Sequence, residues 1–331
     1  MNTFPVTTST LSSDALGTFI KENYLLGEHF ECKLFRTGIN HTYFLNDNSS
    51  KYAVRVYCYK WRTKEEIEAE LSLLLLLKQN NISISFPIAD KNGNFIQEIN
   101  APEGLRYVVL FSFAKGEKMR FMTEETCSVI GSLMAKIHNV TANRVMDRMY
   151  YSTDVLLNQS YNHLKPFFSE DLNEMQLIKQ MGSTLSKTLL NTSLSSSQKG
   201  IVHLDIWYDN LSVLNANEIT IFDFDNCGNG AFILDVGYFC KQLFFIETDK
   251  TVYESKVASF LKGYQKVKPL SNTEIQLIPE AGASIFIFYL GVQAQRFDWS
   301  NIFLSENYLK MFVGRIKSWL DYYEKIKNKK E

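Results

Sequence analysis

Residues 201–225 constrain the fold more than any other part of this chain. They read Ile-Val-His203-Leu204-Asp205-Ile-Trp-Tyr-Asp209-Asn210, then Leu-Ser-Val-Leu-Asn-Ala-Asn-Glu-Ile-Thr-Ile-Phe, then Asp223-Phe-Asp225. A short apolar strand runs into a polar loop, a second apolar strand follows, and an acidic pair ends it. Strands at Gly200–Val202 and Ile219–Phe222 are expected to pair as a hairpin. They would hold Asp205, Asn210 and Asp223 at one end. A chain that gathers oxygen-bearing side chains on a strand-supported loop is built to handle a hard cation or a phosphate.

The order of these groups suits phosphoryl transfer. One Asp stands near an acceptor hydroxyl, an Asn five residues later offers a neutral oxygen to Mg²⁺, and a further Asp offers charge after the next strand. Asp205 is accordingly the candidate general base, and Asn210 and Asp223 are the candidate metal ligands. Asp225 is a third metal candidate or a partner to a ligand. Each could instead be an ordinary loop residue capping its neighbours' N–H groups, and it is their spacing together that favours chemistry. Asp209 is expected to face solvent or a backbone N–H. His203 beside an apolar strand reads as a hydrogen-bonded core residue. Asp235, in Ile-Leu-Asp235-Val-Gly237, reads as an anchor for the loop or the following helix.

The first third of the chain alternates as sheet. Strands are expected at 30–35, 41–45, 51–57, 83–86, 95–97 and 106–113, around one long helix at 63–78. Arg55 lies mid-strand among Ala53, Val54 and Val56, where an unpaired cation is costly. Glu70 on the helix is its natural partner, with Glu66 the alternative. A strand cation paired to a helix acid is a device for gripping nucleotide phosphates. The turn 36–42 offers Gly38 and Asn40 as candidate nucleotide contacts, although a lone glycine is no G-x-G-x-x-G loop. Phe111 and Phe113 are candidates for lining the nucleotide, beside a hinge expected at Leu110–Lys115. Asp90-Lys-Asn-Gly93-Asn has hairpin-turn chemistry.

After Gly116 the pattern turns helical. Thr123 is positioned to cap a helix through Asn139, 153–192 is mostly helical, and 194–199 is a polar loop. Everything beyond the strand–loop–strand stretch reads as helix. Ser271-Asn-Thr-Glu274 is a capping box, Pro279 is expected to kink or interrupt the helix that follows, and 325–331 is a charged tail. The expected architecture is α+β and bilobal, with a β-rich nucleotide-binding lobe at 1–112 and a mainly helical catalytic lobe at 113–331.

Bulk properties exclude several classes. The 331 residues carry a formal net charge of −1, so no basic field draws the chain to nucleic acid. Cys32, Cys58, Cys127, Cys227 and Cys240 show no CxxC spacing, which argues against a zinc ribbon or disulfide framework and for reduced, buried thiols. The run Leu73–Leu77 is far too short for a bilayer, and the first residues lack a signal-peptide pattern, so a cytoplasmic protein with no membrane partner is expected.

Several motifs together resemble the aminoglycoside phosphotransferase, choline kinase and type II homoserine kinase superfamily. The family's H-G-D-x-x-x-x-N loop is similar to His203-Leu-Asp205…Asn210. Its I-D-[FW]-[DE] strand is similar to Phe222-Asp223-Phe-Asp225, and its D-[LV]-[AG] to Asp235-Val-Gly237. Its L-A-x-[IL]-H helix end is similar to Met134-Ala-Lys-Ile-His138, and the similarity spans roughly residues 30–320. Leu204 stands where the family has Gly, and Arg55 where it has Lys. The resemblance implies a protein-kinase-like fold and Mg²⁺- and ATP-dependent phosphorylation of a hydroxyl on a small molecule, an antibiotic or a metabolite. The alternatives are a protein Ser/Thr kinase of the same superfamily and a pseudokinase that only binds a nucleotide or partner. Gln293, Gln295, Arg296, Asp298 and Trp299 are candidates for the acceptor's wall. Only two acids, Asp298 and Glu306, fall in 285–312, which argues against a strongly cationic acceptor.

Overall fold

The computed structural model describes residues 4–191, 198–296 and 301–328. The chain divides into two compact units, Met1–Lys115 and Gly116–Glu331.

In the first unit, α1 (Ser13–Tyr24) starts where the Ser12 hydroxyl accepts from Ala15 N. Strands β1 (Glu31–Arg36), β2 (His41–Asn46) and β3 (Lys51–Val56) follow. Helix α2 (Lys64–Gln79) opens on a full capping box made by Thr63 and Glu66, which satisfies two otherwise orphaned N–H groups. Strands β4 (Ile96–Ala101) and β5 (Gly104–Ser112) complete an antiparallel sheet of order β1-β2-β3-β5-β4. Alternation decides its faces. Tyr43, Leu45, Val54, Val56, Val108 and Leu110 form a core with Leu16 and Ile20 of α1. The opposite face carries Phe44, Ala53, Arg55 and Phe111, with Ala53 opposite both Phe44 and Phe111.

Two expectations fail in this unit. Residues 83–86 make no strand. Ile84 and Pro87 contribute only isolated bridges, and the Ser112 hydroxyl takes the Phe86 N–H that a ladder would use. The turn at 90–94 forms as Asp90 Oδ1 accepts from Asn92 N and Asn94 N, with Gly93 at φ 87°, but it leads into β4 from a segment outside any strand. The hairpin lies instead at Ala101–Gly104.

The second unit contains α3 (Glu124–Thr141), a π-helical turn at Asp154–Gln159, α4 (Ser160–Leu164) and α5 (Asn173–Asn191). Then come β6 (Lys199–Val202), β7 (Leu211–Asn215), β8 (Glu218–Ile221) and β9 (Gly228–Ala231). Helices α6 (Ile233–Ile246), α7 (Lys250–Gln265), α8 (Asn272–Gln276), α9 (Ile278–Gln295) and α10 (Glu306–Asn328) follow. Thr123 caps α3 and Ser271 and Glu274 make the α8 capping box. Pro279 sits in the first turn of α9, where its missing N–H costs nothing, and so divides α8 from α9 without a kink.

The expected hairpin of 200–202 with 219–222 does not form. β6 pairs with β9, and β8 pairs with β7. β7 carries little strand signal because Leu-Ser-Val-Leu is short. Its turn is closed by Asn215 Oδ1, which accepts from Asn217 N and Glu218 N. β9 carries still less, because Gly-Asn-Gly-Ala has almost no strand propensity and is held by its partner rather than by its side chains. The polar loop expected at 194–199 lies outside the described residues up to 197, and Lys199 already belongs to β6.

α6 and α9 cross closely. A Cβ on Gly237 would lie 2.8 Å from Ala281 Cβ and 2.8 Å from Gly282 N. The Asp-Val-Gly sequence therefore has a packing reason: only glycine lets these backbones approach. The crossing sets the positions of Asp235, Tyr238 and Lys241 on α6 against Tyr289 on α9. Among the described residues no helix is long and apolar enough to cross a membrane. All five cysteines are buried and unbridged.

Candidate active site

The loop after β6 is suspended from Asp235. Its Oδ2 accepts from His203 N at 2.9 Å, its Oδ1 accepts from Leu204 N at 2.6 Å, and His138 Nε2 lies 3.0 Å from Oδ2. These bonds hold the carboxyl pKa below its usual value although burial pushes the other way. Asp235 thus anchors the loop, and His138, on the helix-end motif of α3, completes the anchor. His203 is a buried core histidine. Its Nδ1 accepts from Asp205 N at 3.1 Å, so Nε2 carries the proton and donates to Phe222 O at 3.3 Å. Burial lowers its pKa, which keeps the ring neutral.

Leu204 has φ 63°. That left-handed conformation is one that glycine adopts without strain. A non-glycine residue pays about 1–2 kcal/mol for it. The side chain is fully buried, worth about 1.5–3 kcal/mol for leucine, so packing offsets the strain. Its carbonyl accepts from Tyr289 OH at 3.2 Å.

Asp205 emerges from this turn with both oxygens engaged. Oδ1 accepts from the Tyr238 hydroxyl, and Oδ2 accepts from Asn210 Nδ2 at 2.7 Å. Burial pushes its pKa up to about 7. The Tyr238 hydrogen bond opposes that shift, and the nearby Asp223 charge adds to it. Asn210 ends a 3-10 turn at Tyr208–Asn210, and its Nδ2 also donates to Asp205 O at 3.0 Å. With its nitrogen committed to Asp205, the amide oxygen is the end left over. It makes no hydrogen bond with any described residue.

Asp223 follows β8 and has φ 67°, a second left-handed non-glycine residue within the same loop system. Such conformations persist where surrounding structure enforces them, and they concentrate at functional sites. Asp225 is buried, and its carbonyl accepts from Arg148 Nη2 at 2.5 Å. Asp209 is partly exposed and makes an ion pair of 2.6 Å with Lys118.

Among the described residues no three His, Cys, Asp or Glu side chains gather as a self-sufficient metal site. The donor set fits Mg²⁺ in another way. An amide oxygen freed by a committed nitrogen, beside carboxylates, is hard-oxygen chemistry with places left for phosphate oxygens and water.

In the first unit, Arg55 Nη1 meets Glu70 Oε1 at 2.8 Å, and Tyr57 OH donates to Glu70 Oε2 at 3.1 Å. Glu70 is 1% exposed and Arg55 12%, so the pair is shielded. The guanidinium lies over the Phe111 ring at 5.1 Å. Lys51 Nζ lies 4.1 and 4.2 Å from the Phe44 and Phe113 ring centres. Phe113 also borders a groove of about 620 Å³ at the β2–β3 turn, with Asp47, Lys51 and Ser112 among its lining. Gly38 is buried in the β1–β2 connection, and Asn40 Oδ1 accepts from Cys58 N at 3.2 Å, which ties that connection to the end of β3. If Arg55 and Glu70 act as one unit, replacing each with Ala singly and both together should give ATP KM effects that fail to add by roughly 0.5–3 kcal/mol. Additive effects in the cycle would make Arg55 an ordinary strand residue.

Of the expected wall residues, Gln293 Nε2 donates to Tyr308 OH at 3.0 Å, and Gln295 turns to His163 at 3.0 Å. Arg296 is buried at the end of α9. Asp298 and Trp299 lie outside the described residues. Sequence reasoning missed Tyr238, Tyr289 and Lys241. Lys241 did leave a signal, since it is the sole cation in the apolar run 231–246. The same reasoning that singled out Arg55 applies to it.

Residues 31–270 match the model of the phosphotransferase enzyme family, and the chain belongs to that family. It is a phosphotransferase acting on hydroxyl groups. A homoserine kinase of Neisseria meningitidis serogroup B is 26% identical over 275 residues, covering 82% of this chain and 85% of that one. Among solved structures, an amicoumacin kinase in complex with AMP-PNP, Ca²⁺ and Ami has a TM-score of 0.76 at 19% identity, covering 94% of both chains. A microcompartment-associated aminopropanol kinase has a TM-score of 0.75 at 18% identity, covering 93% of this chain and 95% of that one. These likenesses establish the protein-kinase-like fold.

Proposed function

We propose that the protein transfers the γ-phosphoryl group of ATP, bound with Mg²⁺, to the hydroxyl of a small molecule. The observation that carries this reading is the Asp205–Asn210 pair. One carboxylate is held by a tyrosine and an amide, and that same amide turns its oxygen free. In the step, the acceptor oxygen bonds to the γ-phosphorus, the bond to the ADP oxygen breaks, and the hydroxyl proton passes to Asp205. Tyr238 and Asn210 keep the carboxylate aimed. Asn210 and Asp223 would hold the metal, with Asp225 beside them, and the ion supplies positive charge against the phosphates. Arg55, fixed by Glu70, would take nucleotide phosphates bidentately, which a guanidinium does better than an ammonium. Phe111 and Phe113, with Gly38 and Asn40, would be further nucleotide contacts.

The short segment after Asp225 supports a small acceptor over a protein one. The chain passes through β9 and enters α6 at Ile233, which leaves no room for a long substrate-docking segment. The names of the relatives above, kinases of homoserine, aminopropanol and amicoumacin, support the same reading. An intact Asp205, Asn210 and Asp223 argue against a pseudokinase.

The test is Asp223→Ala. Turnover should be abolished, and the gain in nucleotide affinity that Mg²⁺ confers should disappear while the fold stays intact. Calorimetry of ATP binding with and without Mg²⁺ reads this out. A mutant whose metal-dependent binding equals that of the wild type removes Asp223 from the metal site.

A further inference from the structure

Lys241 is an unusual residue for the interior of an apolar helix. It is 3% exposed, and its Nζ lies 3.9 Å from the Phe286 ring centre, 4.3 Å from Tyr238 and 5.8 Å from Tyr289. Among the described residues it makes no hydrogen bond or ion pair. Ring faces attract a cation by about 0.5–2 kcal/mol. That falls short of the several kcal/mol needed to desolvate an ammonium. A Met or Leu would fill the same space without that penalty, so packing alone does not account for a lysine.

Its position relates it to the chemistry. Lys241 lies one turn beyond Tyr238, whose hydroxyl holds Asp205, and it stands over the ring of that tyrosine. Its Nζ also lies 5.8 Å from the ring centre of Tyr289, which holds the Leu204 carbonyl. A second polar group of the same helical cluster is unsatisfied. Gln293, one turn beyond Tyr289 on α9, has a buried Oε1 with no partner among the described residues, while its nitrogen binds Tyr308. Whichever way that amide is turned, one end is left for a ligand. Tyr308, Phe312 and Phe286 join Gln293 to the ring that Lys241 covers. The Asp205 carboxylate sets negative charge near Lys241 on one side, and Arg315 on α10 adds positive charge near it and packs on Phe245, which packs on Phe286.

We propose that Lys241 is an acceptor-binding residue, and that the alcohol phosphorylated here carries a carboxylate, which Lys241 receives while Gln293 takes a second polar group. This deepens the proposed phosphotransfer to a hydroxyl and rests on it for the placement of that hydroxyl at Asp205. A single enclosed ammonium matches one carboxylate, whereas a phosphate dianion would call for several converging N–H donors. A polycationic acceptor would be repelled by Lys241 and Arg315 together. Burial lowers the Lys241 pKa to about 7, the nearby Asp205 charge opposes that shift, and an arriving anion would oppose it further.

The experiment uses matched pairs of probes that differ only by the carboxyl group: L-homoserine with 3-aminopropan-1-ol, L-threonine with 1-aminopropan-2-ol, and L-serine with ethanolamine. Binding is measured by calorimetry in the presence of AMP-PNP and Mg²⁺, and turnover by ATP consumption, for the wild type and Lys241→Met. The carboxylated member of at least one pair should bind the wild type about tenfold or more tighter than its counterpart, a difference of about 1.4 kcal/mol. That preference should vanish in Lys241→Met, which keeps the packing. Binding with this pattern but without acceptor-dependent ATP consumption upholds Lys241 as a carboxylate-binding residue and overturns the phosphotransfer reading instead. Turnover confined to the carboxyl-free members, a preference unchanged in Lys241→Met, or no binding of any carboxylated probe to the wild type overturns the inference.

Discussion

Asp205→Asn should lower kcat by ~10²–10⁴, the usual worth of a positioned general base, or roughly 3–5 kcal/mol of barrier. The neighbourhood makes this a clean substitution. The new amide can turn its oxygen to Asn210 Nδ2 and its nitrogen to Tyr238, because a hydroxyl can rotate and accept where it used to donate. Asn210 then keeps its orientation, and its oxygen stays available to a metal. ATP affinity should therefore hold while turnover falls. The measurement is kcat with an acceptor that the wild type phosphorylates, beside the ATP Kd of both proteins. Near-normal turnover in the mutant would refute Asp205 as the base. A loss of ATP affinity as large as the loss of kcat would mean that the substitution disturbs the metal ligands.

The second large effect is on stability. Asp235→Ala removes the acceptor of His203 N and Leu204 N and the partner of His138, all buried. Leaving one member of a buried polar pair behind costs about 3–5 kcal/mol, against a total domain stability of about 5–15 kcal/mol. The strain at Leu204 would then have nothing to hold it, and Asp205 would lose its position as well. Denaturant unfolding should show a shifted midpoint, and activity should fall even where the mutant remains folded. A mutant as stable as the wild type would show that the loop is held by other contacts. The native pKa of Asp235 is depressed, so its contribution is fully present above the unfolded carboxyl value of 3.8 and is lost as pH falls through the lower folded value. Acid unfolding of the wild type should include this step, and Asp235→Ala should lack it.

Local sequence determined the reactive loop and the Arg55–Glu70 ion pair. Asp205, Asn210 and Asp223 lie within 19 residues, and their relation follows from a turn and a short hairpin. Arg55 and Glu70 were legible because a cation in an apolar strand demands an acid, and the next helix offers one at the right height. Caps at Thr63, Thr123 and Ser271 were legible for the same reason: each bond spans three residues. Strand partners were another matter. β6 pairs with β9 rather than with β8, and Gly-Asn-Gly-Ala carries no sign of being a strand until its partner is beside it.

Only the tertiary structure decided how the base is held and what surrounds it. Tyr238 reaches Asp205 from 33 residues away, and Tyr289 reaches Leu204 from 85. These approaches depend on the α6–α9 crossing at Gly237 and Gly282. The left-handed turn at Leu204 is likewise imposed from outside, since leucine has no preference for it and Asp235 and the core enforce it. The type and order of the reactive groups are written within one stretch of chain, because turns and hairpins are short-range. Their aim, shielding and acceptor wall come from helices far apart in sequence, where no periodicity reports which faces will meet.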